Sequence, residues 1–117
     1  MTRLNKLIVL SALSLFLTAC GSGKRDISMN VHSDPLGAYA LMKVDYKKSK
    51  DSTDWIFLGP TPVVLDKSVK FSGATSISIR VIRPGFFEQT KTWTAKDFKR
   101  EHARNKEINW LPSLVKQ

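Results

Sequence analysis

Few side chains in this sequence have the types and spacing that metal binding or catalysis requires. The two histidines, His32 and His102, are far apart in the chain, and Cys20 is the only cysteine. The sequence contains no His-x-x-x-His or Cys-x-x-Cys pair, the spacings from which many metal sites are built. We therefore expect no metal site and no cofactor.

The remaining catalytic candidates are carboxylates and hydroxyls. Asp51 and Asp54 are close in sequence, but they lie in a charged segment without nearby apolar residues to raise their pKa. Carboxylates in such a segment are usually solvated rather than paired for acid–base chemistry. The chain has neither a Gly-x-Ser-x-Gly nucleophile elbow nor a glycine-rich phosphate loop after a strand. The sequence therefore predicts a protein that is not an enzyme.

Cys20 points to a different chemistry, because it ends a short apolar run. A basic N-terminus precedes the mostly apolar residues 7–17, and this run is too short to span a bilayer, which takes about 20 residues. Leu17-Thr18-Ala19-Cys20 resembles a bacterial lipobox, in which two small residues precede a cysteine that is acylated on sulfur. The resemblance implies a cleaved signal peptide over residues 1–19 and lipid attachment at Cys20.

The lipobox resemblance also implies a location. Lipidation would anchor the mature chain in the cell envelope, whereas a secretory signal with an incidental cysteine is the alternative. Gly21, rather than an acidic residue, follows Cys20. By resemblance to enteric lipoproteins, this favours the outer membrane, facing the periplasm, over the inner membrane. Residues 20–26 are rich in glycine and polar residues and are expected to form a flexible tether.

The charge balance favours an anionic neighbour. The chain has 19 Lys and Arg against 10 Asp and Glu, and removal of Arg3 and Lys6 with the signal peptide leaves a net charge of +7 on 98 residues. That length suits one small domain, which must be stable without a disulfide once Cys20 is acylated. A basic domain at a membrane suits lipid head groups, glycan phosphates or an acidic protein, although the charge can also serve solubility alone. We expect no nucleic-acid partner.

Alternating apolar residues predict a mainly β fold, a small antiparallel β-sandwich-like domain over residues 27–117 with one short C-terminal helix. Strands are predicted over residues 27–32, 38–46, 55–58, 63–65, 75–82, 87–93 and 107–111. The strand over 38–46 is expected to be central and covered on both faces near its start. The strand over 87–93 is expected to lie nearer an edge.

The predicted helix places three cations on one stripe. Thr94 is a suitable N-cap for a helix over residues 95–105. Lys96, Arg100 and Arg104 recur every four residues, so they share one helix face and repel one another unless an anion lies opposite. We hypothesise that this stripe binds a partner, with a solvated face as the alternative.

The three tryptophans are the other candidate contact residues. Trp55, Trp93 and Trp110 could form an aromatic platform for sugar rings, and Trp93, close to Lys91, is the best candidate for such a contact. Large aromatic residues more commonly pack in a core or between subunits, and this alternative stays open.

Three turn sequences resemble those of the PEGA family of small β modules. They are Ser33-Asp34-Pro35-Leu36-Gly37-Ala38, Leu58-Gly59-Pro60-Thr61-Pro62 and Arg83-Pro84-Gly85-Phe86. The resemblance covers roughly residues 27–93, and the charged loop at 47–54 and the extension at 94–117 depart from the pattern. It implies a β-sandwich-like fold at the cell envelope, and it names no ligand and no catalytic residue.

These observations predict a lipid-anchored envelope protein that binds or scaffolds another envelope protein. The alternative is binding of an anionic glycan or a lipid head group through the basic helix and the charged loop. A hydrolase acting on envelope polymers is a third, more distant alternative.

Overall fold

The structure is a computed structural model that describes residues 23–117, so the predicted signal peptide and Cys20 lie outside it. The elements in chain order are β1 (Lys24–Val31), β2 (Tyr39–Tyr46), a 3-10 turn (Ser49–Asp51), β3 (Ile56–Pro60), β4 (Val63–Lys70), β5 (Ala74–Ile82), β6 (Gln89–Thr94), α1 (Ala95–Asn105) and β7 (Ile108–Trp110). Over this range no helix has both the length and the hydropathy needed to cross a bilayer.

The strands form two sheets. One has the order β4-β1-β7 and the other the order β3-β2-β5-β6. The four-stranded sheet is antiparallel throughout, as is the β1–β4 pair, whereas β7 runs parallel to β1. This arrangement confirms the predicted fold class, which is mainly β and sandwich-like with one short helix. The predicted edge position of the 87–93 strand is also confirmed, because β6 is the last strand of its sheet.

Alternating residues of the central strands form one hydrophobic core. The buried side chains of β1, β2 and β5 are Ile27, Met29, Val31, Ala40, Met42, Val44, Ile77, Ile79 and Val81. Each set has the period of two that places side chains on one face of a strand. The outer face of β2 is not covered at its start, where Tyr39 is 47% exposed. The expectation that this strand is covered on both faces is therefore wrong.

The helix begins and ends where the sequence predicts. The Oγ1 atom of Thr94 accepts a hydrogen bond from the backbone N–H of Asp97 at 3.1 Å, which caps the first turn. Lys106 has a φ of 65° and ends the helix in the left-handed conformation that is common at C-termini. Phe98 is 0% exposed and packs in the core on Trp93 and Phe71, so α1 closes one side of the sandwich.

The first turn of the domain is held to the β3–β4 turn by a buried hydroxyl pair. Ser33 Oγ and Thr61 Oγ1 are 2.6 Å apart, and the Ser33 hydroxyl also donates to the carbonyl of Pro35 at 2.8 Å. Thr61 Oγ1 in turn accepts the backbone N–H of Ala38 at 3.0 Å. The turn residues that carry the PEGA resemblance therefore satisfy buried polar groups where the chain passes from one sheet to the other.

The C-terminal residues continue the pairing that β7 begins. The backbone N–H groups of His32 and Asp34 donate to the carbonyls of Trp110 and Pro112 at 2.9 and 3.0 Å. Further on, the N–H of Phe87 donates to the carbonyl of Val115 at 2.8 Å. The extension beyond residue 94 thus supplies a strand to the three-stranded sheet and is bonded to the loop between β5 and β6.

Two predicted boundaries are corrected. β1 begins at Lys24, so residues 24–26 belong to a strand and not to the tether. β4 continues to Lys70, five residues beyond the predicted strand end. In each case backbone pairing of β1 with β4 extends the strand through polar residues, because Lys24 lies opposite Lys70 and Asp26 opposite Ser68.

Candidate binding surfaces

The two histidines have separate positions. His102 Nε2 accepts a hydrogen bond from the backbone N–H of Ser28 at 3.1 Å. This ring therefore extends the hydrogen bonding of β1 ahead of Ile108, where β7 begins. His32 follows the other end of β1. Over residues 23–117 the structure contains no group of three or more His, Cys, Asp or Glu side chains that could hold a metal ion.

Trp93 lies in the core and not on a binding surface. It is 6% exposed, its ring meets the Phe98 ring edge-on with 5.6 Å between centroids, and its Nε1 donates to Glu101 Oε2 at 2.6 Å. Lys91 Nζ lies 4.7 Å from the ring centroid and covers the remaining side. This placement corresponds to the core alternative, and a buried indole offers no face to a sugar. Trp110 is half-buried against the same core.

The stripe of Lys96, Arg100 and Arg104 is exposed along α1. Arg100 Nη1 lies 3.6 Å from Asp97 Oδ1, which is a surface ion pair of small energetic value. Glu101, the other acidic residue of the helix, is bonded to the Trp93 indole. Within residues 23–117, Lys96 and Arg104 have no carboxylate within 4.0 Å. The stripe therefore offers two cations to an external anion.

Replacing Lys96, Arg100 and Arg104 together with glutamine should weaken binding of any anionic partner of this stripe and leave the melting temperature nearly unchanged. Exposed charge changes usually alter stability by less than about 0.5 kcal/mol. Cross-linking in intact cells and thermal unfolding measure the two effects. A matched triple variant at Lys67, Lys106 and Lys116 removes the same charge elsewhere and should retain the partner. Equal cross-linking in both variants would assign the stripe to solvation.

The outer face of the four-stranded sheet carries a cluster that we call the aromatic patch and define as Tyr39, Leu41, Trp55, Phe57 and Arg80. Leu41 of β2 lies opposite Phe57 of β3 on one side and Arg80 of β5 on the other. The rings of Tyr39 and Phe57 are 6.0 Å apart. Phe57 is 61% and Tyr39 47% exposed, and the other three side chains are half-buried. This part of the outer sheet face is therefore apolar and aromatic.

Arg80 is held in place at the centre of this patch. Its guanidinium carbon lies 4.0 Å from the centroid of the Trp55 ring, within the range of cation–π attraction. Its Nε donates to Thr90 Oγ1 at 3.3 Å and lies 3.9 Å from Glu88 Oε2. These contacts fix the side chain before any partner arrives, which reduces the entropy lost on binding.

Two of the four edge strands, β4 and β6, are unsuited to pairing with another chain. Lys67 on β4 shares its strand face with the buried Val63 and Val69, and Lys91 on β6 lies opposite the buried Ile79. A lysine at an inward position on an edge strand discourages strand addition, because a second sheet would bury its charge. Strand addition at these two edges is therefore disfavoured.

The exposed large apolar side chains all lie toward one end of the domain. They are Leu36, Tyr39, Phe57, Val64, Phe87, Leu111 and Val115. Their strands and turns surround the end of β1 and the start of β2, which is opposite to the end where β1 begins. They lie on different elements of both sheets, and two of them, Tyr39 and Phe57, belong to the aromatic patch.

The sequence contains a partial signal for the aromatic patch. Tyr39 and Leu41 show that the second face of β2 is apolar, but the same pattern is typical of a strand covered on both sides. Phe57 and Arg80 carry no such signal, because only the sheet register places them beside Leu41. The stripe on α1 could be predicted from the sequence, because helical spacing alone defines it.

Comparison with known proteins adds no family. No protein-family model matches the chain, and no curated protein or solved structure is significantly similar to it. The resemblances to the lipobox and to PEGA modules therefore rest on the residues given above.

Proposed function

We propose that this chain is a lipid-anchored envelope protein whose PEGA-like β module binds another envelope protein without catalysing a reaction. Cys20 carries the acyl anchor, and the aromatic patch is the contact surface. The anchor is supported by the lipobox-like sequence at residues 17–20, and Gly21 favours the outer membrane, with the domain in the periplasm. One acyl chain gives only marginal membrane binding, so several chains are needed for firm attachment.

The observation that carries the binding role is the combination of Tyr39, Trp55, Phe57 and Arg80 on one open sheet face. Tyrosine, tryptophan and arginine are the residues most enriched among those that dominate binding energy at protein interfaces. Arg80 is already oriented by Trp55 and Thr90. This combination of aromatic, apolar and guanidinium side chains is the one enriched at the centre of protein–protein interfaces.

Replacing Tyr39 and Phe57 together with serine should reduce the yield of the partner adduct by at least about tenfold, because interface anchors typically contribute 2 kcal/mol or more each. Cross-linking in intact cells, followed by mass spectrometry of the adduct, measures this change. The double variant should remain folded, since both side chains are about half exposed or more.

Val64→Ser provides the matched control. Val64 is 74% exposed, but it lies on β4 in the other sheet. The Val64→Ser substitution therefore removes exposed apolar surface without altering the aromatic patch, and it should preserve the adduct. If the Tyr39 and Phe57 variant forms the same adducts as Val64→Ser, the aromatic patch is not the contact surface.

A further inference from the structure

Five lysines lie together at the end of the domain where β1 begins, and we call them the lysine end: Lys24, Lys47, Lys48, Lys50 and Lys70. Lys24 lies opposite Lys70 in the β1–β4 pair. Lys47 and Lys48 line a shallow depression together with Lys70, and Lys50 follows in the adjacent 3-10 turn. The set is therefore assembled from β1, β4 and the loop after β2.

Two hydrogen bonds hold this end together, one between the two sheets and one between the segments that flank β2 and β5. The Tyr46 hydroxyl donates to the carbonyl of Lys70 at 2.6 Å, and the N–H of Lys47 donates to the carbonyl of Gly73 at 2.9 Å. Burial, and secondarily the Asp51 carboxylate, raises the pKa of the Tyr46 hydroxyl above its usual 10.0. The hydroxyl therefore keeps its proton and its bond to Lys70 at neutral pH.

The lysine end has an excess of positive charge that the domain does not neutralise. Asp51 is the acidic residue that lines the depression, and Lys99 adds a sixth cation nearby, with its Nζ 5.6 Å from the Phe71 ring. Over residues 23–117 none of the five lysines has a carboxylate within 4.0 Å. Like charges opposite one another in a sheet, as at Lys24 and Lys70, are destabilising. An external anionic surface would relieve this repulsion.

The position of Cys20 identifies such a surface. Three residues separate Cys20 from Lys24, where β1 begins. At 3.8 Å between successive Cα atoms, the two residues can be at most about 15 Å apart. A lipid-bearing Cys20 would thus keep the lysine end within roughly two Debye lengths of the head groups at physiological salt.

We propose that the lysine end rests on the anionic phospholipid surface of the membrane that holds the chain. This inference rests on the proposed function, because the acyl anchor at Cys20 is what keeps the lysine end close to the membrane. The head groups neutralise the lysines, and each lysine near such a surface contributes about a fivefold preference for anionic lipid. The aromatic patch then faces away from the bilayer, since Tyr39 lies seven residues from Tyr46 along β2, or about 23 Å.

The test uses the mature full-length chain purified from membranes and inserted into vesicles of phosphatidylcholine with or without phosphatidylglycerol. Amine-reactive labelling read by mass spectrometry gives the accessibility of each lysine. The lysine end should be labelled at least about fivefold more slowly in the anionic vesicles, and high salt should remove the difference. Lys106 and Lys116, at other surfaces, should label equally in both. Equal labelling of the lysine end in both vesicles overturns the proposal.

A charge variant and an intact-mass measurement separate the two proposals. Replacing Lys47, Lys48 and Lys50 with glutamine should abolish the protection of Lys24 and Lys70 from labelling. Protection that persists in this variant overturns the inference. An acylated Cys20 with equal labelling supports the anchor and contradicts the lysine end. If the mass shows an unmodified Cys20, the proposed lipid anchor is wrong. Flotation of the same chain with anionic vesicles then tests whether the lysine end binds anionic lipid. Salt-sensitive flotation then supports the lysine end, and absence of flotation overturns it.

Discussion

Replacing Phe98 with alanine should lower the free energy of unfolding by about 3–5 kcal/mol, the usual cost of removing a fully buried aromatic ring. Phe98 is 0% exposed and contacts the rings of Trp93 and Phe71, with 5.6 and 6.2 Å between ring centroids. Because small domains are stable by only about 5–15 kcal/mol, this change would remove a large share of the total. Urea unfolding followed by tryptophan fluorescence measures the loss.

Lys96→Ala provides a control on the same helix. Lys96 is exposed, and its replacement should change stability by less than about 0.5 kcal/mol. The comparison decides whether α1 is part of the core or an addition to a complete β module. Equal stability of the two variants would show that the helix is an addition.

Replacing Thr61 with valine should lower the free energy of unfolding by about 2–3 kcal/mol, although the two side chains have nearly the same shape. The change leaves the buried N–H of Ala38 without an acceptor and Ser33 Oγ without its 2.6 Å partner. A buried polar group that loses its hydrogen bond costs about 1–3 kcal/mol. Denaturant unfolding gives the difference directly.

Thr61→Ser is the matched variant, because it retains the hydroxyl and removes only a methyl group. It should recover most of the stability that valine loses. If serine destabilises the domain and valine does not, packing of the methyl group and not the hydrogen bonds holds this turn. The result also bears on the PEGA resemblance, since Ser33, Ala38 and Thr61 are among the residues that carry it.

The sequence predicted local features well where one short segment determines them. The bounds of α1 follow from the cap at Thr94 and from helical spacing, and the structure agrees with both. The strand over 75–82 was predicted to within one residue, because Ile77, Ile79 and Val81 alternate with polar side chains. Neither feature depends on distant parts of the chain.

Features that depend on distant residues were not predicted. The predicted end of β4 at Leu65 is too early, because Lys67 interrupts the apolar alternation before Val69 resumes it. The lysine end draws on three segments that only the β1–β4 and β2–β5 pairings bring together. The aromatic patch likewise depends on a register that turn chemistry alone does not define. Strand pairing thus brings together the residues of both the lysine end and the aromatic patch.

The parallel pairing of β7 with β1 has a consequence for folding during synthesis. β1, the first strand to be synthesised, obtains one of its two neighbours only when residues 108–110 follow, at the opposite end of the domain sequence. Until then one edge of β1 is unpaired, and Phe98 has not yet filled the core. We expect the chain to remain unfolded during its synthesis and to fold as a single late event once its C-terminal residues are free.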